Sequence, residues 1–267
     1  MTPPRVLSIA GSDSSGGAGI QADIKTVAML GGYAMTAVTA LTAQDTTGVR
    51  RIAITKPEML ADQIAACVED IGVDAVKIGM LPDRASVEVV ARAIESLPGP
   101  VVVDPVLVAT SGASLADSEV VPALHDLLLP LATVITPNLP ELAALTGREG
   151  DTPEAIIEAA KGLSTRHDTH VLAKGGHGEG GRITDRLASP DGTYWSFDHP
   201  RIASEDTHGT GCTLSSALAT FLARGTALRN AVDAARQFVR LAIHSAPGFG
   251  SGSGPLGHQS VRLDFPS

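Results

Sequence analysis

Residues 75–103 read AVKIGMLPDRASVEVVARAIESLPGPVVV. Ala75–Ile78 is a short apolar run, residues 83–97 carry apolar side chains at helical spacing, and Val101–Val103 is apolar again. Short apolar strands alternating with amphipathic helices imply βαβ units and a mainly parallel sheet covered on both faces. The pattern extends outward from this stretch. Upstream, residues 5–10 read as a strand that closes on Gly11-Ser12-Asp13. Residues 20–30 read as a helix stopped by Gly31-Gly32, as glycine often stops helices. Residues 34–41 and 49–55 read as strands. Residues 57–70 read as a helix with Pro57 near its first turn, carrying Cys67.

Downstream, residues 117–129 read as a helix, 133–135 as a strand, 139–145 and 152–164 as helices, and 170–174 as a strand. Residues 182–188 and 193–197 flank Pro190-Asp191-Gly192, the signature of an antiparallel hairpin at a sheet edge. Helices over 211–223 and 229–245 follow. The Gly/Ser-rich segment 248–254 reads as a mobile tail. No linker or internal repeat divides the chain. The expected fold is one α/β domain over residues 1–267, a three-layer α/β/α sandwich with a mainly parallel central sheet and a small antiparallel edge hairpin.

The 267 residues carry 20 Lys and Arg against 29 Asp and Glu, a formal charge of −9. That balance argues against a dedicated nucleic-acid binder, which needs a basic face, and against binding to anionic membranes. Phosphorylated ligands would have to be held by a few local cations and backbone amides. Two distant cysteines, Cys67 and Cys212, form no disulfide framework and fit a reducing cytosol. Residues 1–5 are too short and polar to read as a signal peptide. The uncharged stretch 26–44 is long enough to raise a membrane span, but Gly31-Gly32 interrupts it, so a helix end and a buried strand are expected.

Three glycine-rich segments fall where an open α/β sheet places its ligand loops, at the carboxyl ends of strands. The first is residues 11–19. Within it Gly17-Ala18-Gly19-Ile20-Gln21-Ala22 fits the dinucleotide pattern G-x-G-x-x-A, but the acidic ribose ligand about 20 residues on is missing. A close-fitting wall around a small ligand and a plain surface turn remain open. The second is Lys174-Gly175-Gly176-His177, where a lysine at a strand end can set a point charge against phosphate. The third is His208-Gly209-Thr210-Gly211-Cys212-Thr213, a glycine turn opening a helix and so aiming free N–H groups at an anion. Cys212 would lie at the positive helix end, where thiol pKa values fall. The histidines show no metal-ligand spacing and read as surface residues.

Taken in order, these segments resemble a known family. They are Ser8-Ile9-Ala10-Gly11-Ser12-Asp13 with Gln21-Ala22-Asp23, Thr42-Ala43-Gln44-Asp45-Thr46, Lys77-Ile78-Gly79-Met80 and Val102-Val103-Asp104-Pro105-Val106. Thr136-Pro137-Asn138 with Glu141, Lys174-Gly175-Gly176-His177 and the Gly209–Cys212 turn complete the set. The chain resembles the bacterial hydroxymethylpyrimidine/phosphomethylpyrimidine kinases of thiamin biosynthesis, in the ribokinase-like superfamily. The resemblance implies a cytoplasmic, ATP- and Mg²⁺-dependent enzyme, a homodimer, that phosphorylates 4-amino-5-hydroxymethyl-2-methylpyrimidine twice. Pyridoxal or pyridoxine kinase of the same superfamily is the neighbouring reading, and a nicotinamide-dependent oxidoreductase a remote one.

Carried over by residue, the resemblance implies that Gln44, Ala18, Asp23 and Met80 form the pyrimidine pocket. Gly209, Thr210, Gly211 and Cys212 would be catalytic. Asn138, Lys174 and Arg236 would serve ATP and its phosphates, and Asp104 and Glu141 the metal. Arg236 stands where relatives commonly have Lys, and the tail Gly252-Ser253-Gly254-Pro255-Leu256-Gly257-His258 departs from the family pattern. Gln44 suits an aminopyrimidine because its amide offers one acceptor and two donors.

Overall fold

The computed structural model describes residues 2–108, 112, 115–148, 152–177 and 180–262. The elements run β1 (Arg5–Asp13), α1 (Gly19–Met29), β2 (Tyr33–Asp45), β3 (Gly48–Ile54), α2 (Pro57–Ala66), β4 (Ala75–Ile78), α3 (Arg84–Ile94) and β5 (Val101–Val103). They continue with α4 (Val120–Ala123), β6 (Val134–Ile135), α5 (Leu139–Thr146), α6 (Pro153–His167) and β7 (His170–Ala173). The chain then forms β8 (Arg182–Ala188), β9 (Tyr194–Pro200), α7 (Thr210–Ala223) and α8 (Leu228–His244). Nine strands join one sheet in the order β3-β2-β1-β4-β5-β6-β7-β8-β9.

The six strands from β2 to β7 are parallel, and β8 and β9 form the expected antiparallel edge hairpin. The other edge is antiparallel too: β3 folds back on β2, pairing Leu41 with Ala53. The two-residue turn between them hides this hairpin in the sequence, because no Gly-Asn or Asn-Gly signal marks it.

Strand residues alternate between two cores, as a sheet covered on both faces requires. Leu7, Ile9, Val101 and Val103 pack with Leu60, Val87 and Leu163 beneath α2, α3 and α6. Val6, Val102 and Val134 face Leu218 and Phe238 of α7 and α8. The order of strands reverses between β1 and β4, so their carboxyl ends splay there and open a crevice.

Four local expectations are corrected. The helix expected over 117–129 is α-helical only over Val120–Ala123, followed by a wide turn over Leu124–Leu128 and a 3-10 turn over Leu129–Leu131. Pro122 cannot donate to Ser118, and its ring would strike that carbonyl, so the helix cannot begin at Asp117. The helix expected over 57–70 ends at Ala66 and widens over Cys67–Ile71, where the Gly72 N–H reaches back to the Cys67 carbonyl at 3.0 Å.

The tail is also packed rather than loose. The His208 N–H donates to the Gly254 carbonyl at 3.1 Å, and the Gly257 N–H to Ala242 at 2.9 Å. Its glycines allow backbone to lie on backbone: a Cβ at Gly252 would sit 2.1 Å from the Thr46 carbonyl oxygen. The histidines, expected at the surface, are mostly covered; among the described side chains only His244 is exposed. No helix among the described residues is long and apolar enough to cross a membrane.

Candidate active site

A cleft of about 840 Å³ opens over the carboxyl ends of the central strands and is lined by Asp13, Lys77, Asp104, Lys174 and Cys212. One wall is the loop after β1. Its organiser is Asp13, whose Oδ2 accepts from the Gly17 and Ala18 N–H groups at 3.1 and 2.8 Å, while Oδ1 accepts from Ser15 N and Oγ. His208 Nε2 stands 2.8 Å from the same Oδ2. Burial disfavours the Asp13 carboxylate, yet His208, Ser15 and Ala18 hold its pKa below the usual value.

His208 precedes the turn that opens α7. Gly209 caps that helix with φ +84°, and a Cβ there would lie 1.9 Å from the Gly17 carbonyl oxygen. A Cβ on Gly17 would lie 2.3 Å from the His208 ring. The two loops are back to back and only glycine fits either position. The Gly17–Ala22 pattern therefore serves loop packing, which removes the sequence basis for a dinucleotide site.

The helix start leaves backbone donors over. Thr210 N–H points to the Thr207 carbonyl at 3.3 Å and Thr213 N–H to Gly209 at 2.9 Å. The Gly211 and Cys212 amides have no protein acceptor among the described residues, which leaves them for an anion. Of the expected cradle residues, Gly211 keeps an amide without a protein acceptor among the described residues, whereas Thr210 shares its amide with Thr207.

The Cys212 expectation needs correction. Burial pushes its thiol up to about 11; Lys77 and the Gly19 N–H oppose the rise, and Asp23 and Asp104 add to it. The positive end of one helix is worth too little to offset removal of the sulfur from water.

Across the cleft lie the buried carboxylates. Asp104, 1% exposed, follows β5. Its Oδ1 accepts from Lys174 Nζ at 2.6 Å and from Thr136 Oγ1 at 3.1 Å, and Ser215 Oγ lies 3.4 Å from Oδ2. Lys174 Nζ is 3.8 Å from Glu141 Oε2. Asn138 and Glu141 form a reciprocal cap on α5, each side chain accepting from the other's backbone N–H. Burial raises the Glu141 pKa to about 7, against the pull of Lys174 and with the push of Asp104. Burial works against the Lys174 charge, but Asp104 and Glu141 more than offset it and raise its pKa.

Gln44 closes the opposite end. A register shift between Ala43 and Gln44 breaks the β2–β3 ladder there, and such bulges re-aim side chains. Its Oε1 accepts from Thr42 Oγ1 at 3.1 Å and its Nε2 lies 3.4 Å from His208 Nε2. Ala18 and Met80 line the cleft beside it.

Two expected site residues are placed elsewhere. Asp23 lies wholly buried beneath the floor, accepting from Ser8 Oγ at 2.5 Å, Ser216 Oγ at 2.6 Å and Lys77 Nζ at 2.8 Å. Arg236 borders the cleft but turns its guanidinium to Asp185 at 2.8 Å and to the Phe197 carbonyl at 3.0 Å. Asp185 accepts in turn from Gly175 N–H at 2.8 Å, so Arg236 braces the turn after Lys174. Sequence reasoning gave no role to Asp13, Lys77, Asp185 or His208. A charged residue inside an otherwise apolar strand, as in Ala75-Val76-Lys77-Ile78, is the signal that marks Lys77.

The sequence profile of the phosphomethylpyrimidine kinase family matches residues 13–257. The chain belongs to that family. As a phosphomethylpyrimidine kinase family member it is 45% identical over 261 residues to the hydroxymethylpyrimidine/phosphomethylpyrimidine kinase of Bacillus subtilis, covering 97% of this chain and 96% of that one. It is 48% identical to the thiamine biosynthesis bifunctional protein ThiED of Geobacter sulfurreducens over 95% of this chain, and spans about half (52%) of that longer protein. Among solved structures, the ADP complex of Bacillus subtilis pyridoxal kinase superposes with a TM-score of 0.90 at 37% identity, over 98% of this chain and all of that one. The family's ribokinase-like fold accounts for the sheet order, and the matched segment contains every cleft residue described above.

Proposed function

We propose that this chain is an ATP-dependent kinase that phosphorylates 4-amino-5-hydroxymethyl-2-methylpyrimidine and then its monophosphate. One observation carries the reading: the open amides of Gly211 and Cys212, the Lys174 ammonium and the Gln44 amide converge on a single cleft. In the first step the substrate hydroxyl oxygen bonds to the γ-phosphorus. The bridging P–O bond breaks and ADP leaves with its electron pair. The hydroxyl proton passes late in the transfer to the Cys212 sulfur, in the small fraction of molecules that the raised pKa leaves as thiolate, and the thiol forms. In the second step the attacking oxygen belongs to a phosphate that is already anionic and needs no base. Phosphoryl transfer relies on positioning and charge stabilisation, which the amides and Lys174 supply. Gln44 reads the ring nitrogen and amine, Ala18 and Met80 fill the ring's edges, and Asn138 caps the helix facing the phosphates.

The donor set fits Mg²⁺. Among the described residues no cluster of three or more His, Cys, Asp or Glu gathers. Mg²⁺ typically takes one or two carboxylates plus water and substrate phosphates, which Asp104 and Glu141 match. Bound there, the ion would neutralise phosphate charge. Residues 1–267 act as one catalytic unit in this proposal, since every strand joins one sheet. A cytoplasmic homodimer completes it. The exposed Leu41, Ile54 and Met59 offer an apolar surface for pairing, and sedimentation with Leu41→Asp tests it.

Pyridoxal kinase is a second reading, favoured by the close superposition on that enzyme. A coupled ADP-release assay run side by side on the hydroxymethylpyrimidine and on pyridoxal, with mass analysis of products, decides. Mono- and diphosphate from the pyrimidine are expected. ADP release with pyridoxal alone would overturn the proposal.

A further inference from the structure

Gln44 is the proposed reader of the pyrimidine, and the groups behind it decide which end of its amide is oxygen. The oxygen and the NH₂ of an amide fill nearly the same space, so the protons of the neighbours assign their places. With Oε1 against Thr42 Oγ1 at 3.1 Å and Nε2 against His208 Nε2 at 3.4 Å, both contacts meet a conflict.

At one end stands Thr42. Its hydroxyl has one proton, and the Ser12 carbonyl 2.9 Å away can only accept it. The side left to Gln44 is a lone pair, which calls for an N–H. At the other end stands His208. Asp13 already accepts from Ser15 N and Oγ and from the Gly17 and Ala18 N–H groups, as an ionised carboxylate does. His208 Nε2 lies 2.8 Å from Asp13 Oδ2 and must carry a proton, since a bare ring nitrogen would set lone pair against lone pair. That N–H cannot receive a second donor, so it calls for the amide oxygen. Both ends ask for the same 180° turn.

The anchor has little freedom. His208 and Asp13 are both buried. The His208 backbone N–H is tied to the Gly254 carbonyl, and its ring stands where a Cβ on Gly17 would lie. A register shift at Ala43 and Gln44 turns the amide toward this corner.

We infer that the Asp13–His208 pair and Thr42 lock the Gln44 amide with its oxygen toward His208 and its NH₂ toward Thr42. All three are positioning residues that act through Gln44. The inference rests on the proposed reading of Gln44 and deepens it. The spare amide N–H then meets a ring nitrogen on the Thr42 side, and the oxygen meets an exocyclic amine on the His208 side. A ring with the reversed pattern, an N–H beside a C=O, is refused.

Two measurements test this. In ¹⁵N-labelled protein, the Gln44 side-chain amide, assigned by its loss in Gln44→Leu, should show stronger nuclear Overhauser contacts to the Thr42 methyl than to the His208 ring. Titration calorimetry then compares 4-amino-5-hydroxymethyl-2-methylpyrimidine with its 4-oxo analogue. The unaltered protein should prefer the amine by about 5- to 150-fold, the worth of a bidentate pair. His208→Leu and Thr42→Val each release one end of the amide, and each should lower that preference at least threefold. A merely structural role would weaken both ligands alike and leave the ratio unchanged. Thr42→Val decides the matter if His208→Leu fails to fold. A ratio within twofold of the unaltered protein's in either folded variant, or stronger amide contacts to His208, would overturn the inference. Amide contacts to Thr42 in a protein that binds neither pyrimidine would keep the lock and sink the pyrimidine reading instead.

Discussion

Replacing Gly209 with alanine tests whether the phosphate cradle and the substrate loop are a single interlocked unit. Two penalties arise. The first is conformational: φ of +84° is left-handed, and a residue with a Cβ adopts it at a cost of roughly 1–2 kcal/mol. The second is steric: the new Cβ would lie 1.9 Å from the Gly17 carbonyl oxygen, against 3.4 Å for ordinary contact. The obstacle is backbone on both sides, so no side chain can swing away. Either the start of α7 or the loop carrying Ala18 must retreat by more than about an ångström, and misplacement on that scale costs about 10²-fold in rate.

Loss of one oxyanion donor costs about 10²–10³-fold by itself. The expected fall in the first phosphorylation rate is therefore about 10²–10³-fold. The strain alone should lower the melting temperature by roughly 2–8 °C. Gly225→Ala is the control. Its φ is +77° and a Cβ there meets nothing within 4 Å, so it carries the strain without the collision. Single-turnover kinetics and thermal melting on both variants separate the effects. If Gly209→Ala works within threefold of Gly225→Ala, the two loops are not coupled as described.

Three further outcomes are expected. Cys212→Ala should slow phosphorylation of the alcohol at least tenfold more than phosphorylation of the monophosphate; equal losses on the two substrates would remove the thiol from proton transfer. Gln44→Leu should weaken pyrimidine binding by about 5- to 100-fold, the worth of one or two hydrogen bonds. Titration calorimetry should find ATP affinity unchanged in the same variant. Glu141, with its folded pKa raised to about 7 from 4.5, favours the folded state fully only below about 4.5 and loses that contribution as pH rises through 7. Melting temperatures should therefore rise for Glu141→Gln relative to the unaltered protein between pH 5 and pH 8; a constant difference would contradict the burial argument.

The alternation of strands and helices, the glycine turns and the residue order along the cleft are legible in the chain itself. These depend on local patterns: apolar runs such as Val101–Val103 need both faces covered, and Gly209 answers a local backbone demand. The family resemblance added the expectation that Gln44 meets the pyrimidine. What misled was environment. Cys212 sits at a helix start as expected, but loss of water around the sulfur, with the charges of Asp23 and Asp104, outweighs that position. Asp23 reads as a pocket residue from its motif and lies below the floor.

The tail gives the clearest contrast. Its Gly and Ser content suggests freedom, yet those glycines are what let the backbone lie against Thr46 and Asp206. Beyond them, His258 Nε2 reaches Thr213 Oγ1 at 2.8 Å, and that hydroxyl donates to the Gly209 carbonyl at 2.8 Å. Composition reports the entropy a segment has to lose, and cannot report the surface that awaits it. The sequence by itself determined the layered sheet, the loops that face its carboxyl ends and most residues that reach the cleft, because spacing along a strand or helix sets which face a side chain occupies. Tertiary structure alone decided which of those charges are buried together. Charges interact through space and through the water they have lost, and neither quantity is written in the order of residues.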